Sequence, residues 1–320
     1  MECGVDILYQ WVSRMVCIGV YMTGEVPFKD VYLHGMVRAE DGKKMSKSLG
    51  NVIDPTAVIE EFGTDAVRMV MVAGRSAGDS AAYAPAKTVA GRNFCNKLWN
   101  IARFTESILA DKPGKPDAKP ISAADHWMLR ELQQSTNTLS ALVNDYRISE
   151  AQETMYHFIW DTLADWYIES SKSEINPDLL RYCLDSVLKL AHPFAPFVTE
   201  TIWQTLDWTG ETLLIAQSWP THAKYDDKKA DQFEEIKTIV GEIRLIKSSL
   251  QLRQATLYFT DTEFLRENAE LITGLAGIDG VKQVESGEGL HLTQTTYSCW
   301  LDVDKETMTR YCYKFQKQLE

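Results

Sequence analysis

No pair among Cys3, Cys17, Cys95, Cys183, Cys299 and Cys312 stands in the C-x-x-C spacing of a zinc site or redox dithiol. Scattered cysteines in a chain of 320 residues also make a poor disulfide framework, which small secreted domains need and larger intracellular chains do without. They read as small hydrophobes of a core. No apolar run approaches the ~20 residues of a bilayer-spanning helix. No leader-peptide layout precedes the first folded segment. Internal repeats and long low-complexity stretches are absent too, which sets solenoids and tails aside. Basic residues are in deficit: 33 Lys plus Arg against 45 Asp plus Glu give a net charge of −12. That balance leans against a chain that coats nucleic-acid phosphates, although basic residues can still gather on one face. The composition leaves a soluble, cytoplasmic, globular chain, 45% hydrophobic and long enough for two or three domains.

What is present is concentrated first in Gly42-Lys43-Lys44-Met45-Ser46-Lys47-Ser48-Leu49-Gly50-Asn51. Three lysines, two serines and two flanking glycines suit a loop that wraps a polyphosphate. Ammonium groups meet the charge, while hydroxyls and backbone N–H groups supply hydrogen bonds. The glycines permit positive φ and close backbone approach. The pentapeptide Lys44–Ser48 arises by chance about once in ten thousand chains of this length. A solvated basic turn between apolar strands is the plainer alternative.

Lys44 to Ser48 resembles the KMSKS signature of class I aminoacyl-tRNA synthetases, and its surroundings are similar to the valyl group. The similar blocks are Gly4–Met15, Asp30–Arg38, Arg92–Asn100, Asp165–Glu169 and His192–Glu200, in the family's order as far as about Gln254. The isoleucyl and leucyl groups share the loop, but the blocks around Trp11 and Arg92–Asn100 fit the valyl group better. The family's second signature, His-x-Gly-His, is matched by none of His34, His126, His157, His192, His222 and His291. The expectation is therefore a C-terminal piece of a larger synthetase, without the first half of the catalytic fold and the inserted editing domain.

The resemblance implies roles. Lys44 and Lys47 would stabilise the charge that gathers on ATP as an amino-acid carboxylate attacks its α-phosphate, with Met45, Ser46 and Ser48 completing the loop. Such fixed cations are often the largest catalytic contribution. Gly4 and Asp6 match the family's Gly-x-Asp at the adenosine ribose; Asp6 could equally cap the helix that begins at Ile7. His34 and Gly35 match the family at the ATP base, whereas a lone histidine on an apolar strand also reads as a satisfied core residue. Ile7 and Trp11, one helical turn apart, would wall a pocket for valine or are plain core. Gln10 departs from the family's usual aromatic residue. One methylene of fit is worth only ~1–3 kcal/mol, which is why such enzymes edit.

In the helical region Arg92, Lys97, Asn100 and Phe104 are the candidates for tRNA. Cations meet phosphates, an amide reads base edges and a ring stacks. Trp160 and Trp166 read as core, and His126 stands where the family often has arginine. The implied cofactors and partners are ATP, Mg²⁺, valine and tRNA(Val), together with the absent half, in the same polypeptide or as a separate chain; no metal-ligand set is read in the sequence. The chain alone is expected to bind tRNA weakly and not to activate valine. A stand-alone tRNA-binding module and an isoleucine-specific ligase are the other readings.

The expected fold is mixed. Residues 1–82 form part of an α/β, Rossmann-like nucleotide-binding domain, 83–228 a helical anticodon-binding bundle, and 229–320 a linker helix with a small α/β unit. Periodicity predicts a helix over 6–21 with Ile7, Leu8, Trp11, Val12, Met15, Val16 and Val20 on its apolar side, then a buried strand over 31–37. Asp54-Pro55-Thr56 opens a helix that Gly63 closes, and a further short element runs to Val72. Helices follow over 89–110, 124–143, 149–173, 179–191 and 199–206, with a breaker at Lys112–Pro116. A helix over 232–252, strands at 256–260, 281–285, 290–293 and 297–303, a helix over 263–275 and a last helix from 305 to 319 complete the layout.

Overall fold

The computed structural model describes residues 1–111, 119–208, 210, 212–287, 289–304 and 307–309, so the breaker stretch, nearly all of the last helix and Cys312 lie outside the described residues. The chain divides into two compact units. One gathers Met1–Asp111, Gln133–Trp160 and Cys183–Thr221; the other gathers 119–132, 161–182 and the described residues from 222 on.

The first unit opens with β1 (Glu2–Gly4), which pairs in parallel with β2 (Tyr32–His34) across a helical crossover. Parallel pairing demands such a crossover. The helix expected over 6–21 is not uniform: a 3₁₀ turn at Val5–Ile7 and a π-helical turn at Leu8–Val12 precede α1 (Ser13–Thr23), which ends at Gly24 in the left-handed region. Its expected apolar side is not a core face. Only Val12 is buried, while Trp11 is 58% exposed. The strand expected over 31–37 is split and not buried. β2 stops at His34, and β3 (Val37–Arg38) pairs instead with β4 (Ala81–Ala82). The break falls at Gly35, where a Cβ would stand 1.8 Å from the Asp79 carbonyl oxygen, a contact only glycine can make.

Asp54 caps α2 (Pro55–Phe62) by accepting the Thr56 N–H at 2.9 Å, with Pro55 at the first helical position. Gly63 then turns the chain into α3 (Thr64–Val72), which packs on α4 (Pro85–Asp111). Close approach of α3 to α4 needs Gly91, whose Cβ would stand 3.0 Å from Ala66 O. Phe94 and Leu98 on α4 and Ala66, Met69 and Val70 on α3 are buried there. The helical region continues through α5 (Ala123–Asn144), α6 (Ile148–His157) with a π-helical extension at Phe158–Ile168, α7 (Pro177–Ala191) and α8 (Pro196–Leu206). Within the first unit α8 packs on α3 and α4. Asp65, buried on α3, accepts the N–H groups of Phe197 at 3.2 Å and Val198 at 2.6 Å, so a carboxylate far away in sequence caps α8.

The second unit is built on α9 (Asp227–Leu250) and a four-stranded sheet of order β6-β5-β8-β7. β5 (Thr256–Phe259) runs parallel to β6 (Gly280–Gln283) and antiparallel to β8 (Cys299–Leu301), which pairs with β7 (Leu290–His291). The helix expected over 263–275 is broken at Asn268 into α10 (Glu263–Glu267) and α11 (Ala269–Ala276). Ile236, Ile239, Val240 and Ile243 of α9 are fully buried, as are Leu257, Cys299 and Leu301 of the sheet. Burial pushes the Cys299 thiol up to about 12, so it is a packing group and not a nucleophile. Buried Glu242 accepts the N–H groups of Thr293 (2.7 Å) and Gln294 (2.9 Å), which ties the β7–β8 connection to α9. Arg244 donates to Leu275 O at 2.7 Å and Lys247 to Ala276 O at 3.4 Å, cations placed at the carbonyl end of α11. Among the described residues no helix is long and apolar enough to cross a membrane.

Candidate functional site

Parallel pairing puts Gly4 opposite His34 at the carboxyl ends of β1 and β2, the edge where open α/β sheets receive ligands. Gly4 is buried, and a Cβ there would meet Asp6 Oδ1 at 2.9 Å and His34 Cε1 at 3.6 Å. Gly4, Asp6 and His34 therefore share one corner, with Gly35 next to it. No side-chain hydrogen bond caps the turns after Asp6, so the carboxylate stands exposed and the capping reading fails. His34 is not a core histidine either: it is exposed, its Nδ1 lies 3.0 Å from Gly35 O and its Nε2 3.7 Å from Glu2. A cavity of about 720 Å³ opens beside His34 and Gly35, with Tyr32, Met71 and Arg75 among its walls. Arg75 makes no ion pair among the described residues, and burial holds its guanidinium below the ordinary arginine range.

The lysine–serine loop follows β3. Arg38 pairs with Lys44 in an antiparallel bridge, Ala39 N–H donates to Lys43 O at 3.0 Å and Gly42 N–H to Ala39 O at 2.8 Å. Gly42 takes φ +78° at this turn, which a side chain would strain. Ser46 is extended, Lys47–Leu49 form a 3₁₀ turn, and Gly50 closes it at φ +65°. Ser46 and Ser48 hydroxyls lie 2.6 Å apart. Lys44, Lys47 and Ser48 are exposed, Met45 and Ser46 half-buried, and among the described residues neither Lys44 nor Lys47 has an ion-pair partner. Lys43, by contrast, lies 3.4 Å from Asp41. The loop thus presents two uncompensated ammonium groups beside two hydroxyls. No hydrogen bond or ion pair joins it to the Gly4–Asp6–His34 corner among the described residues. One further residue escaped the reading of the sequence as a site: Asn51 accepts the Ser46 N–H at 2.8 Å and donates to Lys44 O at 3.3 Å.

Ile7 and Trp11 are exposed rather than walls of a closed pocket, at 38% and 58%. On α4, Arg92 and Asn100 are exposed while Lys97 and Phe104 are half-buried. Arg92 lies over the Phe62 ring at 5.5 Å and Lys97 over Trp160 at 4.2 Å. Asn96, Trp99 and Arg103 share the exposed side of α4 with Arg92 and Asn100, and the sequence reading passed over Trp99 and Asn96. Steps of three and four from Arg92 would have found them. Trp166, read as core, is half-buried under Arg244 (4.7 Å) and Lys237 (5.6 Å). His126 is buried; its Nδ1 accepts the N–H of Asp226, which itself caps α9.

Comparison with known proteins decides the family. Residues 1–82 match the family model described as tRNA synthetases class I (I, L, M and V). Residues 125–260 match the anticodon-binding domain of tRNA ligase. The valine–tRNA ligase of Staphylococcus epidermidis is 41% identical over 256 residues, and that of Geobacillus kaustophilus 39% over 262. The chain belongs to the class I aminoacyl-tRNA synthetases, in the valyl group. These alignments cover 75% and 77% of this chain but 29% of each relative, so the chain spans less than a third of the synthetases it matches. The LeuRS of Agrobacterium radiobacter K84, solved with tRNA and LeuAMS, superposes at TM-score 0.60 and 20% identity, over 81% of this chain and 30% of that one. Mycobacterium tuberculosis methionyl-tRNA synthetase, in complex with methionyl-adenylate, gives 0.52 at 22% identity over 69% and 48%. Both structural likenesses concern the synthetase fold.

Proposed function

We propose that this chain carries the phosphate-facing loop and the RNA-facing helices of a valine–tRNA ligase, which joins valine to tRNA(Val) with ATP. The observation that carries the reading is the loop with Lys44 and Lys47 exposed and unpaired beside Ser46 and Ser48. Attack of the valine carboxylate on the α-phosphate forms the acyl–phosphate bond and breaks the bond to pyrophosphate, on which negative charge collects. Two ammonium groups held in a loop offset that charge in the transition state. An exposed loop can close over ATP and open for product. Gly4 lets the sugar approach the backbone, Asp6 accepts from its hydroxyls, and His34 and Gly35 lie towards the base. Ile7 and Trp11 become the walls of the valine pocket once other parts of the ligase cover them.

Among the described residues no cluster of three His, Cys, Asp or Glu side chains suits a metal. Mg²⁺ would arrive on the ATP phosphates, as that ion commonly does. On the RNA side, the exposed face of α4 offers Arg92 and Arg103 to phosphates and Asn96, Asn100 and Trp99 to bases, with Lys97 and Phe104 at its margin. In this reading 1–82 belong to the nucleotide-binding domain, 83–228 to the anticodon-binding bundle and 229–320 to a small terminal unit, in the cytoplasm. The remainder of the ligase, in the same polypeptide or as a separate chain, supplies what valine activation further requires.

The test is equilibrium binding of ATP to the 320-residue chain and to its Lys44→Ala and Lys47→Ala variants. Each loss of a charge-assisted contact should weaken binding about tenfold, more for Lys47. Variants that bind as well as the parent chain would overturn the reading.

A further inference from the structure

The lysine–serine loop has to keep its backbone in one shape for its cations to act together, and the structure shows one side chain that holds it. Asn51 sits after Gly50, where the left-handed turn brings the chain back alongside the loop's own first limb. Its amide then does what a neighbouring strand would do. Oδ1 accepts the N–H of Ser46 at 2.8 Å, and Nδ2 donates to the C=O of Lys44 at 3.3 Å. Both bonds clasp the Met45 peptide link from either side and keep Ser46 extended, at φ −148° and ψ 137°. Asn51 is half-buried and the rest of the loop beyond Ser46 is exposed, so water competes less for these two bonds than for others nearby.

We propose that Asn51 is the positioning residue of the loop, holding Lys44, Ser46 and Lys47 in register for a polyphosphate without touching it. This rests on the polyphosphate reading given above. Only an amide fits the position fully. A carboxylate could accept from Ser46 but would set a lone pair against the Lys44 carbonyl, and alanine could do neither. An anchored loop loses less freedom when its ligand binds, which is how a group remote from the ligand raises affinity.

Two measurements on the 320-residue chain separate the inference from the reading beneath it. The first is amide hydrogen exchange resolved at Ser46. Asn51→Ala should speed exchange there about tenfold, as expected for an opened hydrogen bond. Asn51→Asp keeps the acceptor and should retain most of the protection, while amides of α4 and the thermal midpoint stay unchanged in both. Equal Ser46 exchange in parent and Asn51→Ala would overturn the proposal outright. The second is binding of inorganic tripolyphosphate. Asn51→Ala should weaken it about fivefold with Lys44 and Lys47 intact; undiminished binding overturns the positioning role even if exchange has risen. Failure of the parent chain to bind tripolyphosphate would overturn the polyphosphate reading, and the exchange result would still decide whether Asn51 holds the loop.

Discussion

His126 accepts a backbone hydrogen bond, and an imidazole can do that only while the accepting nitrogen is unprotonated. Burial is the main reason that its pKa lies below the ordinary histidine value of 6.5, with Lys229 adding to the effect. His192 is lowered in the same direction, again mainly by burial. The unfolded chain therefore binds protons more readily than the folded one. These groups contribute stability that is present above about pH 6.5 and lost as pH falls below it. Thermal midpoints measured from pH 7.5 down to pH 5.5 should fall, and His126→Gln should flatten part of that slope. A slope unchanged in His126→Gln would show that this histidine is not the source. The cysteines give a second result at this scale. Cys17 is exposed, whereas Cys3, Cys183 and Cys299 are buried. Cys95 is half-buried, its thiol pushed up to about 12 by burial. Brief treatment with iodoacetamide should label Cys17 well before these four, as mass spectrometry of the peptides would show.

At the scale of elements, the Asp65 cap on α8 is the joint most open to a single change. Asp65→Ala leaves two partly buried helix N–H groups without their acceptor and should cost about 1–3 kcal/mol in urea unfolding. Asp65→Asn, with one oxygen still able to accept, should recover part of it. Nothing in the sequence announces this cap, because Asp65 and Val198 are 133 positions apart. Local signals were legible where one residue type settles the matter: Asp54-Pro55 did open α2, and Gly63 did end it. The helices were legible from periodicity, and α4, α5, α7 and α9 lie within a few residues of their expected bounds. The strand over 31–37 was misread because apolar content does not reveal the Asp79 backbone that passes over Gly35 and forces the break. The lysine–serine loop was legible by composition, but Asn51 was not. Its role depends on a left-handed turn that returns it to Ser46.

For the whole molecule, the segment after β1 carries several large apolar side chains exposed to water. Tyr9, Trp11, Ile18, Tyr21, Met22 and Val26 all stand exposed, Tyr21 at 88%. Large apolar side chains exposed in such number favour association and dye binding. The chain should bind the dye ANS in its native state and scatter light increasingly with concentration. Replacing Ile18 and Met22 by lysine should reduce both without lowering the thermal midpoint, since neither side chain is buried. Unchanged dye binding in that double variant would move the patch elsewhere. The net charge of −12 works in the other direction and should keep the chain dispersed at low salt, with self-association growing as ionic strength rises.

The cap that joins Asp65 to Val198 also has a history in time. A ribosome adds about 5–20 residues per second, so Asp65 is made roughly 7–27 s before the amides it will hold. During that interval α3 can form but cannot yet finish its burial, because a carboxylate without its partners resists leaving water. The first unit must therefore wait for α8 to complete its fold, and synthesis of the stretch between them sets the earliest moment at which it can do so.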